Sequence, residues 1–314
     1  MKLTSTPETT PRPAPWFTYK RQLFLLLLPY LLGLAGLVAL PAILSIPIAF
    51  THYNALSPPE WAGLDNFGEM FKDSRFWNGL NVSLFFIIVA VPLRVMGAVL
   101  LAFLLYRPRP SNRLYRVLVI LPTIVPDVAY ALLWLYIFNP LYGPLNWILP
   151  LFGAAPAGWL LQPWPAKFGV VIMMLWTIGE GFVLMLAAMQ DIPGELNEAA
   201  TVDGASGAQR FTRITLPILA PAMLLLLFRD TILSFQTTFV PVLITFGGGE
   251  PYYPSGGETV RATEFLPIYI WHNFTDYQDF GYAAAMTWIM YIVTALVVAL
   301  QFIVARRWRA MLYD

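Results

Sequence analysis

Five charged residues lie inside apolar stretches of this sequence, where a charged side chain is costly and usually serves a function. They are Arg94, Asp127, Glu180, Arg229 and Asp230. In a bilayer such groups face the interior of a helix bundle or a water-filled cavity, so each could contact a passing solute or pair with an opposite charge. Asp127 and Glu180 are also the kind of carboxylate pair that general acid–base catalysis within a membrane would need. Substrate contact, catalysis and simple pairing between helices all stay open at this point.

Two neighbourhoods could recognise a solute. Gly179 and Gly181 flank Glu180, and they remove side chains that would shield the carboxylate from a ligand. A polar run further along the chain consists of Ser234, Phe235, Gln236, Thr237 and Thr238. Hydroxyls, amides and aromatic faces are the groups that bind sugars, because a sugar presents hydroxyls on its edge and C–H groups on its face. The alternative is that these hydroxyls bond back to their own helix and the amide bonds to a neighbouring helix.

The composition indicates that these groups sit in a multi-pass membrane protein. Hydrophobic residues make up 58% of the 314 residues and charged residues 12%, which is more apolar surface than a soluble core of this size could bury. Six apolar runs each approach the ~20 residues that a bilayer core requires. They cover about residues 22–50, 79–106, 116–139, 168–189, 218–245 and 281–305. We predict an all-α membrane protein with six transmembrane helices, in which Pro122 and Pro126 supply kinks or early breaks in the third.

The distribution of positive charge predicts the orientation. With six spans both termini lie on one side, and thirteen of the 19 Lys and Arg residues fall in segments on that side. The opposite segments carry only Lys72, Arg75, Lys167 and Arg261. The positive-inside rule therefore places both termini and the loop of residues 191–217 in the cytoplasm.

The same composition delimits the domains and excludes several classes of site. Residues 1–19, rich in Thr and Pro, are predicted to be a disordered cytoplasmic tail, and residues 20–314 a single transmembrane domain. A net charge of +1 gives no indication of nucleic acid binding. His52 and His272 are too few and too far apart in the sequence to indicate a metal site, and the absence of cysteine excludes disulfides and thiol nucleophiles.

The loop of residues 191–217 is the longest polar segment between two predicted spans on the cytoplasmic side. Its first half has helical spacing, which Asp203 and Gly204 interrupt. Ser206 and Gln209 form an S-x-x-Q pair that predicts the capped start of a second short helix. The loop is therefore predicted to be two short helices joined by a turn.

The spacing of small and acidic residues in this loop resembles the cytoplasmic EAA loop of ABC-importer permeases. The matching positions are Glu198, Ala199, Ala200, Gly204, Ile214, Leu216 and Pro217. In that family the first helix of the loop is the coupling helix, which docks on a separate ATPase subunit. The resemblance implies that this contact is made by Glu198, Ala199, Ala200, Asp203 and Gly204.

Other segments are similar to the carbohydrate-importer branch of that family. They are residues 63–67 (GLDNF), 142–146 (YGPLN), 247–249 (GGG), 266–270 (LPIYI) and 281–285 (GYAAA). After the glycine run this chain departs from the common pattern with Glu250 and Pro251. The resemblance implies the type I ABC-importer permease fold in a prokaryotic cytoplasmic membrane. It also implies a permease that passes a sugar or related polyhydroxylated solute, with residues 179–180 and 234–238 lining the pathway.

The same resemblance implies the partners. They are a second, homologous permease subunit, two ATP-binding subunits and an extracytoplasmic solute-binding protein. The chain contains no Walker-type motif, so ATP with Mg²⁺ is expected on the partner ATPases and no cofactor in this chain. Two alternatives from other classes are a membrane-embedded enzyme that uses Asp127 and Glu180, and an ion-driven secondary transporter. The secondary transporter is disfavoured because the hydropathy shows no internal repeat.

Overall fold

The structure is a computed structural model that describes residues 16–107, 109–235, 242, 245, 252–255 and 258–313. Helices dominate it. They are α1 (Trp16–Leu34), α2 (Leu40–Ile48), α3 (Asp65–Lys72), α4 (Ser74–Leu105), α5 (Pro110–Ile120), α6 (Asp127–Ile137), α7 (Pro144–Ile148), α8 (Pro163–Trp176), α9 (Gly179–Gln190), α10 (Gly194–Val202), α11 (Gly207–Arg210), α12 (Leu216–Ser234), α13 (Leu266–Thr275) and α14 (Phe280–Tyr313). Short 3₁₀ segments cover Leu121–Ile124 and Leu149–Phe152, and π-helical turns cover Ala35–Ala39 and Phe211–Thr215. The predicted all-α class is confirmed at this level.

Several helices of the described chain are long and apolar enough to cross a bilayer. Four do so alone: Tyr19–Ile48, Ser74–Leu105, Gly207–Ser234 and Phe280–Arg306. Two further candidates are bent pairs: Pro110–Ile124 with Asp127–Ile137, and Pro163–Trp176 with Gly179–Gln190. The described residues therefore contain four candidate spans, or up to six if each bent pair is one span.

The third predicted span, residues 116–139, is not one continuous helix. Its two halves meet at an angle of 102°. Val125 is extended, with φ −69° and ψ 128°, because the ring of the following Pro126 disfavours helical backbone at the preceding residue. Pro126 also has no N–H with which to continue the helix. The sequence predicted a kink or an early break here, and the structure shows a break.

The fourth predicted span, residues 168–189, is also interrupted, which the sequence did not indicate. The axes of α8 and α9 differ by 45°, and Thr177 between them has φ −92° and ψ 34°, outside the helical region. There is no proline at this point. Instead, the Arg94 guanidinium donates a hydrogen bond of 3.1 Å to the Thr177 carbonyl oxygen, which satisfies an acceptor that a continuous helix would pair internally.

One predicted boundary differs from the helices. Helix α1 begins at Trp16, within the predicted tail of residues 1–19, of which residues 1–15 lie outside the described chain. Helix α12 ends at Ser234. Of the rest of the fifth predicted span, which continues to residue 245, only Phe235, Val242 and Thr245 are described, and Val242 and Thr245 are helical.

Helix α4 is the central element of the bundle. Around Phe86 it packs against α6 and α8, near Phe76 it packs against α13 and α14, and near Val99 it packs against α9 and α12. The first span is different, since none of its most apolar window is buried within the chain. An apolar helix surface of this kind is stable against lipid or another membrane subunit.

The segments predicted to be external loops contain ordered structure. Strands β1 (Thr51–His52) and β2 (Glu60–Trp61) form one antiparallel hairpin, and β3 (Tyr252–Ser255) and β4 (Glu258–Arg261) form another. Helices α3, α7 and α13 lie in the same segments. Helix α13 packs on the N-terminal end of α4, so these segments lie at one end of the bundle.

Candidate functional site

A cavity of about 190 Å³ lies among the middle spans, where α4, α6, α8 and α9 approach one another. Its lining is mixed: Met173, Met174 and Val170 are apolar, whereas six residues supply polar groups. These six are Arg94, Thr123, Asp127, Tyr130, Thr177 and Glu180. Both helix breaks border the cavity, and Thr123 and Thr177, which lie at these breaks, form part of its wall. Irregular backbone at membrane depth is tolerated where it lines a cavity.

Arg94 connects three spans at this cavity. One terminal nitrogen donates to the Thr177 carbonyl oxygen, and the other lies 3.5 Å from the Asp230 carboxylate on α12. The Asp230 side chain is only 2% exposed and that of Arg94 14% exposed. The carboxyl end of a helix carries partial negative charge, so the Arg94 cation also suits its position beside the end of α8.

The remaining pair of charges is more open. The Arg229 guanidinium donates to the Glu180 carboxylate, while the two side chains are 38% and 55% exposed. Arg229 also lies 3.7 Å from Asp230. The expected internal pairing is therefore present for four of the five mid-span charges. Among the described residues no cation forms an ion pair with Asp127, which begins α6 at the edge of the cavity.

The predicted solute-binding run does not line this cavity where it is described. Ser234 is buried and its hydroxyl donates 2.7 Å back to the Asp230 carbonyl oxygen of its own helix. Phe235 is buried against α4, α13 and α14. Residues 236–238, the predicted Gln236, Thr237 and Thr238, lie outside the described chain. Leu233 contacts the cavity instead.

The glycines beside Glu180 have a packing role that differs from the one predicted. A Cβ on Gly179 would lie 2.7 Å from the Val119 carbonyl oxygen, and one on Gly181 would lie 2.9 Å from Leu226. Both glycines are buried, and they let α9 approach the third span and α12 closely. They therefore fix the position of Glu180 rather than leaving space open for a ligand.

Sequence reasoning missed three polar residues of the cavity, Thr123, Tyr130 and Thr177. Each is an isolated hydroxyl in an apolar run, and only Thr123, which follows Pro122, stands beside a residue that signals a helix break. The Tyr130 hydroxyl donates to the Met173 carbonyl oxygen on α8. In the described part of the chain no three His, Cys, Asp or Glu side chains converge in a way that could hold a metal ion.

The polar loop after α9 has the predicted helix–turn–helix form. Helix α10 contains Glu198, Ala199 and Ala200, ends before Asp203, and is followed by Gly204 with φ +79°, a conformation that favours glycine. The Ser206 hydroxyl accepts from the Gln209 N–H, and the Gln209 side chain accepts from the Ser206 N–H. The predicted capping pair is confirmed.

Helix α10 buries none of its nine residues against the rest of the chain. Leu196 is 43% exposed and Val202 88% exposed. Together with exposed Ala199 they form an apolar strip on one side of the helix, while Asn197, Glu198 and Thr201 face the bundle. An apolar strip on an otherwise polar loop is typical of a contact surface.

The opposite end of the bundle is held by buried polar groups. Glu264, fully buried, accepts 2.8 Å from Arg75 and lies 3.6 Å from Arg261. Tyr269 on α13 donates to the Asp73 carboxylate that precedes α4. Burial, followed by the hydrogen bond and charge of Asp73, raises the pKa of the Tyr269 hydroxyl above its ordinary value. These contacts fix the last external segment to α4.

Residues 94–310 match the family described as binding-protein-dependent transport system inner membrane component. The probable ABC transporter permease protein YesP of Bacillus subtilis is 32% identical over 283 residues, which cover 89% of each chain. The trehalose/maltose transport system permease protein MalF of Thermococcus litoralis is 30% identical over 277 residues, covering 87% of this chain and 91% of that protein.

Three further proteins also match this chain. The sn-glycerol-3-phosphate transport system permease protein UgpA of Agrobacterium fabrum is 32% identical over 245 residues, covering 77% of this chain and 80% of that protein. A chain of a bacterial ABC transporter involved in the import of the acidic polysaccharide alginate matches with a TM-score of 0.77 at 24% identity, covering 93% of this chain and 98% of that chain. A bacterial alginate ABC transporter in complex with an alginate pentasaccharide-bound periplasmic protein also matches with a TM-score of 0.77, at 22% identity and covering 94% of this chain and 98% of that chain.

The solved structures share the fold, which is the type I ABC permease fold that the sequence resemblance implied. The family match covers the middle spans and the polar loop, and the relatives extend it toward the N-terminus. The alternative of a membrane-embedded enzyme built on Asp127 and Glu180 is therefore not adopted. The chain belongs to the family of inner membrane components of binding-protein-dependent transport systems, and it is a multi-pass permease subunit of an ABC transporter.

Proposed function

We propose that the chain is one of two homologous permease subunits in an ATP-driven importer of a sugar or related polyhydroxylated solute. The observation that carries this proposal is helix α10, which buries none of its residues and presents Leu196 and Val202 outward. A nine-residue helix that leaves the bundle with an exposed apolar strip needs a partner surface. An ATPase subunit of the same transporter is the partner that the family provides.

The proposed topology has six spans with both termini in the cytoplasm of a prokaryotic cell. The two bent helix pairs, each taken as one span, and the four long helices support the count. The excess of Lys and Arg in the terminal segments and in the polar loop supports the orientation. In this topology α10 faces the compartment where ATP and Mg²⁺ are bound by the partner subunits.

A second permease would cover the open charged pair. Glu180 and Arg229 are half exposed on the outside of this chain although they lie in mid-span helices, and lipid contact there would be costly. A polar pathway shared with a second permease removes that cost. The cavity of about 190 Å³ is smaller than the roughly 300–1,000 Å³ of ordinary ligand sites, which also supports a site completed by another subunit.

The solute class follows from the polar groups of the cavity and from the relatives. The Asp127 and Glu180 carboxylates could accept hydrogen bonds from the hydroxyls of a sugar, and the Thr123 hydroxyl could accept or donate them. The relatives include permeases named for trehalose and maltose and for sn-glycerol-3-phosphate. An external solute-binding protein would deliver the solute to the segments that contain α3, α7 and α13. The complex of the alginate transporter with a periplasmic protein supports this partner.

The experiment that tests this proposal targets the apolar strip. We expect the double variant Leu196→Glu/Val202→Glu to lose co-purification of the ATPase subunits and ATP-driven uptake, because two charges would be buried at the contact. The matched control Thr212→Glu adds a charge to an exposed residue of the same loop outside α10. If the double variant retained both assembly and uptake at the control level, α10 would not be the coupling surface.

A further inference from the structure

A second cavity, of about 590 Å³, lies between α10 and the ends of the spans. One part of its wall is apolar and consists of Phe103 and Leu104 in the last turn of α4, Met189 near the end of α9, and Phe211 before α12. The centres of the Phe103 and Phe211 rings lie 4.6 Å apart. Because these residues end membrane-crossing helices, this wall lies at the level where the hydrocarbon of a bilayer meets its head groups.

Another part of the cavity wall is cationic. Arg107, Arg109 and Arg210 line it, together with a single carboxylate, Glu198. None of the three arginines forms an ion pair with a carboxylate of the described residues, Glu198 included. The lining therefore carries an excess of positive charge that no described acidic group neutralises.

Two of the arginines are held in place by neutral partners. Arg107 donates 3.1 Å to the Tyr106 hydroxyl, and Arg210 donates to the Thr201 hydroxyl on α10. Each of these contacts occupies one nitrogen of a guanidinium that has five N–H donors. The other donors remain directed to the space that the cavity encloses or to solvent, where they suit the oxygens of an anion.

We propose that this cavity binds an anionic phospholipid of the inner leaflet, with its phosphate on Arg107, Arg109 and Arg210 and its acyl chain along Phe103 and Leu104. Basic pockets between transmembrane helices on the cytoplasmic side are suited to anionic head groups. An apolar wall at the membrane boundary next to a cationic wall matches a molecule that is apolar at one end and negatively charged at the other. Leu104, 60% exposed, gives the acyl chain a route to the bilayer.

The bound lipid would contact the side of α10 that faces the cavity. Asn197, Glu198 and Thr201 face the cavity, whereas Leu196, Ala199 and Val202 lie on the opposite side of α10. Lipid and ATPase would therefore occupy different sides of the same helix. A bound lipid would support α10 at the end of α4 without competing for the strip of the proposed coupling contact. The assignment to the inner leaflet rests on the proposed orientation.

The test measures lipid retained by the full transporter complex. The complex is incorporated in nanodiscs of phosphatidylcholine with one quarter phosphatidylglycerol, re-extracted in detergent, and its bound phospholipid is quantified by mass spectrometry. The enrichment is the ratio of phosphatidylglycerol to phosphatidylcholine bound to the complex, divided by the same ratio in the nanodisc. We expect it to exceed one for wild type. Arg107→Gln/Arg210→Gln should reduce it by about fivefold for each arginine removed. Arg107→Lys/Arg210→Lys keeps the charge and should keep most of the enrichment.

The matched control is Arg113→Gln/Arg213→Gln, which removes two exposed cations near the cavity that do not line it. Equal loss in this control would mean non-specific surface attraction and would overturn the proposal. Displacement of phosphatidylglycerol by millimolar inorganic phosphate or glycerol phosphate would assign the site to a free anion instead. If the full complex lacked the enrichment and the permease subunits purified without the ATPases showed it, the cavity would be assigned to the ATPase and the lipid proposal would be overturned. Lipid retention is measured without transport. The lipid proposal is therefore tested independently of the proposed ATPase contact on α10.

Discussion

The Arg94 guanidinium lies 3.5 Å from the Asp230 carboxylate and at the same time donates 3.1 Å to the Thr177 carbonyl oxygen. One side chain of α4 therefore joins the fifth span to the break in the fourth. In a low-dielectric interior, removing one member of such a pair leaves a buried charge without compensation. The relationship makes Arg94 a positioning residue for the bend that borders the central cavity.

We predict that Arg94→Met destabilises the chain by about 3–5 kcal/mol, since the buried Asp230 then keeps only the half-exposed Arg229, 3.7 Å away, as a cation. The double variant Arg94→Met/Asp230→Leu should recover most of that loss, because no charge then remains without a partner. Thermal unfolding of the purified complex in detergent measures the loss of stability in the single variant and its recovery in the double variant. The half-exposed Arg229 gives the comparison: Arg229→Met should destabilise much less. Equal unfolding temperatures for Arg94→Met and wild type would show that the pair contributes nothing.

A second prediction concerns the close approach at the same break. Gly179→Ala would place a Cβ 2.7 Å from the Val119 carbonyl oxygen, and because that atom is backbone it cannot rotate away. We expect a loss of about 1–3 kcal/mol, as for overpacked cores. Gly194→Ala is the matched control, since a Cβ added there would meet no atom within 4 Å and α10 gains from reduced backbone freedom. Equal stability of the two variants would mean that α9 can shift away from the third span.

The parts of this molecule that sequence could predict are local. The Ser206–Gln209 capping pair, the turn at Gly204 and the kink at Pro126 all depend on neighbours within a few residues, and each is present. The break at Thr177 could not be predicted, because its cause is a guanidinium 83 residues away in the chain. Helical continuity was the reasonable expectation in a run without proline.

The candidate site shows the same division. Mid-span charges could be singled out individually because charge is rare in a bilayer, but their partners depend on how the helices pack. Gly179 and Gly181 were interpreted as space for a ligand, whereas the folded chain uses that space for Val119 and Leu226. A sequence shows that a side chain is missing, but which group occupies the vacant volume depends on tertiary packing.

A third prediction addresses the external end. Glu264 is fully buried between Arg75 and Arg261, so Glu264→Ala would leave two cations close together without their shared anion. We expect a loss of about 3 kcal/mol, with faster proteolysis of the last external segment. Glu60→Ala, at an exposed residue of the first hairpin, should change neither. If both variants behaved alike, the contacts of Glu264 would not be what holds this segment to α4.

The last prediction separates solute binding from helix pairing at Glu180. If the carboxylate binds a sugar hydroxyl, Glu180→Ala should raise the apparent KM for uptake by roughly 10- to 150-fold, the factor that corresponds to a lost charged hydrogen bond of ~1.5–3 kcal/mol. Arg229→Met removes the same ion pair from the other side and should lower the amount of assembled transporter while leaving KM unchanged. Uptake of the cognate sugar, measured in proteoliposomes with its external binding protein and normalised to assembled complex, gives both quantities. An unchanged KM in Glu180→Ala, together with a loss of assembly equal to that of Arg229→Met, would leave Glu180 with a pairing role alone and would remove it from the solute pathway.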